Sequence, residues 1–222
     1  MTAEETKLRP ELKLPLPERI KTLPVFRGYP VPWFVAWVKG EPEFRAADGF
    51  KWEVAVRQRV CWVCGKKLGA YLAFILGPMC CISRTTVEPA CHRECAQWSI
   101  ENCPFLSRPK MVRRENDLPD EIVPPPGEGL KRNPGVVALW IARDFKIFSD
   151  HKGRPLITVG APLEVAWFAE GRAATRAEID FSVAGGLPAL EALAKLDGKR
   201  GEKALAEQVA DFQKLLPETG HA

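Results

Sequence analysis

All seven cysteines of this 222-residue chain lie between Cys61 and Cys103, and this clustering constrains the fold more than any other feature. The stretch opens with a Cys-x2-Cys pattern at Cys61 and Cys64. Near its end, His92 and Cys95 are three residues apart, and side chains at positions i and i+3 share one face of a helix. The spacing therefore predicts two pairs of sulfur or nitrogen donors on two separate elements.

Four donors of this kind at tetrahedral corners are what Zn²⁺ binds in closed structural sites. Gly65 follows the first pair, at a position where a tight turn needs a residue that tolerates positive φ. We predict a structural Zn²⁺ site formed by Cys61, Cys64, His92 and Cys95. The fourth ligand has alternatives, because three other thiols could replace His92: Cys91, Cys80 and Cys103.

Disulfide bonds are the competing explanation for a cysteine cluster. The number of cysteines is odd, and residues 1–9 are polar and charged, unlike a secretory signal. We therefore expect a cytoplasmic protein with reduced thiols, which favours a metal over disulfides. The cysteines outside the site are expected to be buried free thiols that pack as small apolar groups.

A hairpin is predicted between the two ligand pairs. Leu68–Leu76 is its first strand, Gly77-Pro78 its turn and Cys81–Val87 its return strand, and the helix Cys91–Asn102 follows. Knuckle, hairpin and helix in this order resemble a treble-clef zinc finger. Some nucleases use a related arrangement with a histidine base in the hairpin, but no histidine occurs between Tyr71 and Ala90. A metal-dependent hydrolase is therefore the least favoured function, and an enzyme is not expected.

Apolar and aromatic patterns predict an α+β chain. Before the finger, Trp33–Val38 and Glu43–Ala46 are predicted strands, and Trp52–Cys61 fits either a strand or, preferably, a helix. The chain is divided into an extended proline-rich arm at 1–32, a zinc-binding module at 33–106, a proline-rich linker at 107–135 and a small α+β part at 136–222. No apolar run approaches the roughly 20 residues of a membrane span, so no membrane contact is expected.

The C-terminal part is predicted to hold a small sheet backed by short helices. Its strands are Val136–Arg143, Phe145–Phe148, Leu156–Val159 and Glu164–Ala169. Thr175 and Glu178 form a capping box that starts the first helix, which Gly185-Gly186 ends. Pro188 opens a second helix to about Leu196, and the third helix spans Glu202–Leu216.

The charge of the chain is unevenly distributed. Its net charge is +4, but residues 51–114 carry 11 Lys and Arg against 4 Glu. This excess of positive charge predicts that a polyanion partner would contact the central module. The candidate phosphate contacts of a nucleic acid are Lys66, Lys67, Arg84 and Arg93.

Three further stretches look familiar: Phe74–Cys80, Pro89–Leu106 and Gly171–Leu190. Through them the whole chain resembles uncharacterised proteins of bacteriophages and of prophages in proteobacteria. The resemblance implies a small accessory protein of a mobile element and carries over no catalytic residue. Two functions follow from these features: a zinc-stabilised module that binds nucleic acid, or an interaction or inhibitor protein that acts on a host or phage partner.

Overall fold

The computed structural model describes residues 8–13, 15–108, 111–112, 118–120, 122–123, 133–150 and 152–218. Helices make up 37% of the described residues and strands 26%, which confirms the predicted α+β class. Most of the predicted linker at 107–135 lies outside the described residues. Within the described residues, no helix combines the length and the apolar character needed to cross a bilayer.

The described residues form seven helices and eleven strands. The helices are α1 (Glu18–Lys21), α2 (Gly49–Gln58), α3 (Pro78–Ser83), α4 (Arg93–Asn102), α5 (Pro104–Ser107), α6 (Arg176–Leu196) and α7 (Gly198–Gln213). The strands are β1 (Val25–Phe26), β2 (Tyr29–Pro30), β3 (Val35–Val38), β4 (Glu41–Ala47), β5 (Leu72–Leu76), β6 (Thr85–Thr86), β7 (Val137–Ala142), β8 (Phe145–Ser149), β9 (Pro155–Val159), β10 (Glu164–Ala169) and β11 (Arg172–Ala173).

A four-stranded antiparallel sheet with the order β11-β10-β7-β5 forms the centre of the fold. All six residues of β7 are buried, as expected for a continuous apolar strand that is covered on both faces. Its Trp140 is paired with Phe74 of β5 on one side and with Val165 of β10 on the other. This sheet contains two of the largest fully buried side chains among the described residues, Trp140 and Phe74.

The central sheet crosses the predicted division between the zinc-binding module and the C-terminal part. Strand β5 belongs to the predicted module at 33–106, whereas β7 and β10 belong to the part at 136–222. A second, three-stranded sheet does the same, because β6 pairs with β9, which pairs with β8. One hydrophobic cluster contains buried residues from both segments, so the two are packed together.

The predicted return strand of the hairpin is wrong. Pro78–Ser83 forms α3, with Gly77 in extended conformation before it and Pro78 at the first turn, where the missing N–H of proline costs nothing. Only Thr85–Thr86 is extended, and it pairs with β9 and not with β5. Strand β5 pairs instead with the distant β7, so a local hairpin is not what connects the two ligand pairs.

The predicted division of the C-terminal helices is also wrong. Gly185-Gly186 does not end a helix, because α6 runs without interruption for 21 residues and contains Pro188. A Cβ at Gly186 would lie 2.9 Å from Cγ and Sδ of Met79, so a glycine here lets α6 pack closely against α3. This tertiary contact outweighs the low helix propensity of glycine and proline, and α6 is not a short helix.

Other local predictions are confirmed. The segment Trp52–Cys61 is mostly helical, as preferred, because Asp48 caps α2 by accepting hydrogen bonds from the backbone N–H groups of Phe50 and Lys51. Thr175 and Glu178 form the predicted capping box at the start of α6. The described residues of the predicted arm at 1–32 contain the short helix α1 and the hairpin of β1 and β2, and Ile20 of α1 is completely buried.

Candidate metal centre

The first ligand pair lies in a tight turn that is held by backbone hydrogen bonds. The N–H of Cys61 donates to the carbonyl of Lys66 at 2.8 Å, and the N–H of Gly65 donates to the carbonyl of Cys61 at 2.8 Å. Gly65 has φ +70°, and a Cβ there would lie 2.7 Å from the ring of Trp33. Glycine is therefore required at this position by both the backbone conformation and the space available.

The second ligand pair is positioned by the edge of the central sheet. Cys91 and Ala73 of β5 exchange both backbone hydrogen bonds, at 2.9 Å and 2.7 Å. His92 comes next as the N-cap of α4, and Cys95 follows in the first turn of that helix. The helix begins at Arg93 and not at Cys91 as predicted, because Cys91 and His92 are held in extended conformation by the sheet.

The four predicted ligands converge on one point. The sulfur atoms of Cys61, Cys64 and Cys95 and a ring nitrogen of His92 all lie within 4.8 Å of one another. His92 Nδ1 is 3.4 Å from Cys64 Sγ and 4.0 Å from Cys95 Sγ. A tetrahedral zinc, with bonds of about 2.3 Å to sulfur and about 2.0 Å to nitrogen, separates neighbouring ligand atoms by roughly 3.5 Å. The cluster can therefore hold a metal ion such as zinc.

The histidine ring is oriented by a backbone carbonyl of the turn. His92 Nε2 lies 2.9 Å from the carbonyl oxygen of Lys67, which can only accept a hydrogen bond, so Nε2 carries the proton. The unprotonated Nδ1 then faces the cysteine sulfurs, as required of a metal ligand. This contact, which orients a ligand from outside the cluster, was not apparent from the sequence.

The surroundings of the Cys61 sulfur favour a negative charge on that atom. The backbone N–H groups of Cys64 and His92 point to it at 3.5 Å and 3.4 Å. Burial raises the pKa of the Cys61 thiol, but hydrogen bonds from the side chains of Cys64, Cys91 and Cys95 outweigh burial and hold that pKa well below its usual value. The Cys61 thiol therefore loses its proton readily and becomes a thiolate, the form that binds a metal.

The thiols that could have replaced His92 are not part of the four-residue group. Cys91 is buried and contacts Cys61, and this hydrogen bond together with burial raises the pKa of the Cys91 thiol well above its usual value. Burial also raises the pKa of Cys80, to about 11. Among the described residues, the group with metal-site geometry contains neither of these cysteines nor Cys103.

Arg19 of α1 is a neighbour of the cluster that the sequence did not suggest. Its guanidinium forms an ion pair with Glu94 in the first turn of α4; the hydrogen bond to Glu94 is the main cause that raises the pKa of Arg19, and the Cys64 and Cys95 sulfurs add to it. Three thiolates and a divalent ion leave one net negative charge, which a nearby cation stabilises. Arg19 therefore connects the N-terminal arm to the cluster.

The four candidate phosphate contacts lie in different surroundings. Lys66 and Lys67 are exposed on the turn of the first ligand pair, although Lys67 Nζ also donates to the carbonyl of Gln58 at 2.6 Å. Arg93 is paired with Glu164 of β10, and Arg84 lies over the ring of Trp140, 6.0 Å from its centroid. Of the four, the two lysines are the most accessible to a phosphate.

No protein-family model, curated protein or solved structure matches this chain. The functional meaning of the cluster therefore depends on its own geometry and on the surfaces around it.

Proposed function

We propose that the cluster binds one structural Zn²⁺ and that the protein is a zinc-stabilised accessory module that binds nucleic acid. The convergence of three cysteine sulfurs and His92 Nδ1 within 4.8 Å is the observation that carries the zinc assignment. Soft thiolates with one imidazole match the preferences of Zn²⁺, whereas Mg²⁺ and Ca²⁺ prefer oxygen ligands. The supply of four protein ligands favours a structural role, because catalytic zinc keeps a position open for water.

Zinc at this position would join two parts of the chain that also contact each other through the Lys67 carbonyl and His92 Nε2. The turn at Cys61–Gly65 and the start of α4 are 27 residues apart, and the segment between them is anchored in the central sheet. The arrangement is treble-clef-like at its two ends, the knuckle and the helix, with strand β5 and helix α3 between them in place of a hairpin. In structural zinc sites the binding free energy of the metal contributes directly to folding.

Binding to nucleic acid is supported by the basic surface beside the site. Lys66 and Lys67 are exposed on the knuckle that the metal would hold rigid, within a segment rich in Lys and Arg. Contacts between lysine and phosphate release counterions, and affinity then falls steeply with salt. The resemblance to phage and prophage proteins agrees with an accessory role in a mobile element.

Filter binding at two salt concentrations tests this function. The protein should retain labelled DNA or RNA at low salt, and the double variant Lys66→Ala, Lys67→Ala should retain much less. Lys199→Ala with Lys203→Ala on α7 is the matched control, because it removes the same charge from exposed positions far along the chain. If low salt gives no retention, or if both double variants lose binding equally, the proposal is wrong.

Protein binding is the second candidate, and the exposed apolar side chains of α6 favour it. Phe181 and Leu196 are 85% and 82% exposed, the two highest values among the large apolar side chains of the described residues. This function predicts one stoichiometric host or phage partner whose capture resists nuclease treatment and is lost in Phe181→Glu. Capture that disappears with nuclease would instead favour the nucleic-acid function.

A further inference from the structure

The first β-hairpin carries a group of arginines and aromatic rings that is separate from the metal cluster. Its strands β1 and β2 are joined by the turn Arg27-Gly28, with φ values of +51° and +83°. The guanidinium of Arg27 lies 5.0 Å from the centroid of the Phe26 ring. Phe26 in turn packs against Phe44 of β4, with 6.4 Å between their centroids. We call Arg9, Arg27, Arg108, Phe26, Tyr29 and Phe44 the arginine–aromatic surface.

Arg9 extends this surface along the hairpin. Its guanidinium lies 5.4 Å from the centroid of the Tyr29 ring, and its Nε donates to the carbonyl oxygen of Arg27 at 3.0 Å. Its backbone N–H donates to the carbonyl of Gly28 at 3.1 Å. The two arginines are thus held side by side, each next to an aromatic ring.

Arg108 adds a third positive charge at the same place. Hydrogen bonds from the backbone and from the Tyr29 hydroxyl lower the pKa of Glu11, and the charges of Arg9 and Arg108 act in the same direction. Glu11 is the acidic group here, and it accepts a hydrogen bond from the Tyr29 hydroxyl at 2.8 Å. Among the described residues, no carboxylate forms an ion pair with Arg9, Arg27 or Arg108, and all three are exposed. The surface therefore has excess positive charge with accessible donors.

We propose that the arginine–aromatic surface binds single-stranded nucleic acid, with bases stacked on the exposed Phe44 ring and phosphates bound by the three arginines. Phe44 is 44% exposed, so a base can reach its ring. Proteins that bind single strands combine cationic grooves with aromatic platforms, whereas a duplex hides the faces of its bases. The inference rests on the proposed nucleic-acid function and adds the strandedness of the ligand and a second contact surface.

Fluorescence anisotropy with the full chain tests the inference. The probes are a labelled oligothymidine, an oligouridine of the same length and a matched DNA duplex, with polyglutamate as a polyanion that has no bases. We expect both single strands to bind more tightly than the duplex and polyglutamate. If one of the two single strands binds more tightly, that preference shows whether the ligand is RNA or DNA.

Substitutions at the surface separate stacking from charge. Phe44→Ala should weaken single-strand binding by about 5- to 150-fold, the range for loss of one stacked base. Phe44→Leu should weaken it similarly while preserving apolar packing against Phe26, which separates stacking from folding. Phe50→Ala is the control, because Phe50 is 69% exposed in α2 and outside the surface. Arg27→Ala and Arg108→Ala should each reduce the slope of log affinity against log salt by about 0.7.

The outcomes distinguish this inference from the proposed function. Equal binding of single strand and duplex, with Phe44→Leu no weaker than Phe50→Ala, would overturn the inference while leaving the nucleic-acid function intact. Equal binding of polyglutamate would also overturn it, because stacking would then contribute nothing and an acidic protein would be the better ligand. Absence of binding to every probe at low salt would overturn the inference and the function together.

Discussion

The carbonyl oxygen of Lys67 lies 2.9 Å from His92 Nε2, so the turn of the first ligand pair orients the histidine of the second. This contact links the two halves of the cluster through the protein itself, independently of any metal. It also gives the two ring nitrogens of His92 different roles, because Nε2 donates to a backbone carbonyl and Nδ1 faces the cysteine sulfurs.

The coordinating nitrogen of His92 is predicted to be Nδ1. Long-range ¹H–¹⁵N correlation spectra of the zinc-loaded protein should report a protonated Nε2 and a metal-bound Nδ1, because the Lys67 carbonyl accepts the Nε2 proton. His92→Cys should keep stoichiometric zinc, since a fourth thiolate is an acceptable ligand, whereas His92→Ala should not. A spectrum with metal-bound Nε2 would contradict the orientation described here.

Removal of one sulfur ligand should release the metal and destabilise the fold. Cys61→Ser is expected to lose stoichiometric zinc, measured by elemental analysis. A loss of about 5 kcal/mol, less than half of the binding free energy of a typical structural zinc, would lower Tm by roughly 10–20 °C. Cys103→Ser is the control, because Cys103 is outside the cluster and serine is a favoured N-cap for α5. Equal zinc content in both variants would refute the ligand assignment.

Gly65→Ala should destabilise the protein through the turn. The added Cβ would be 2.7 Å from the Trp33 ring, and the left-handed backbone alone costs about 1–2 kcal/mol for a residue with a side chain. We expect a loss of roughly 2–4 kcal/mol in urea unfolding. Gly69→Ala, where no atom lies within 4 Å of the added Cβ, should change stability by less than about 0.5 kcal/mol. Similar losses of stability in Gly65→Ala and Gly69→Ala would show that the turn does not require a glycine.

Gly185→Ala tests the continuity of α6. Within an unbroken helix, alanine in place of an unhindered glycine should raise the free energy of unfolding by about 1 kcal/mol. If the helix ended at Gly185-Gly186, as the sequence predicts, and a left-handed glycine capped it, the same change would lower stability. Gly198→Ala, where φ is +63°, is expected to be destabilising and so provides the opposite reference. Thermal unfolding of both variants shows whether each substitution raises or lowers the stability of the protein.

The start of α6 should weaken in acid through Glu178. The hydrogen bond from Arg172 is the main cause that lowers the pKa of Glu178 from 4.5 to about 2, with help from the N–H of Thr175. Because the folded-state pKa is the lower one, this stabilisation is complete above pH 4.5 and is lost as pH falls toward 2. The pair is partly exposed, so the effect is at most about 1 kcal/mol.

Glu178→Gln is the matched variant for this pH dependence. Its stability should be below that of the unmodified protein at pH 7, and the difference should shrink as the pH approaches 2. Urea unfolding at a series of pH values measures the difference directly. A gap that stays constant across this range would mean that the ionised carboxylate contributes nothing to the cap.

The sequence by itself determined the features that depend on neighbouring residues. The Cys61–Cys64 spacing with Gly65 specifies a turn, and Thr175 with Glu178 specifies a cap, because the groups involved are within a few residues and the backbone brings them together wherever they lie in a fold. The pairing of this turn with His92 and Cys95 was predicted from donor chemistry, and the structure brings all four together.

Tertiary structure decided the features that depend on distant partners. Strand β5 could pair with the segment after Gly77 or with Val137–Ala142, and only the burial of a common core selects the second. Likewise, the contact with Met79 keeps Gly186 inside α6, and the carbonyl of Lys67 selects the nitrogen of His92. Local propensities differ by about 1 kcal/mol per residue, and packing of a buried surface exceeds them, so these choices appear only when the whole chain is folded.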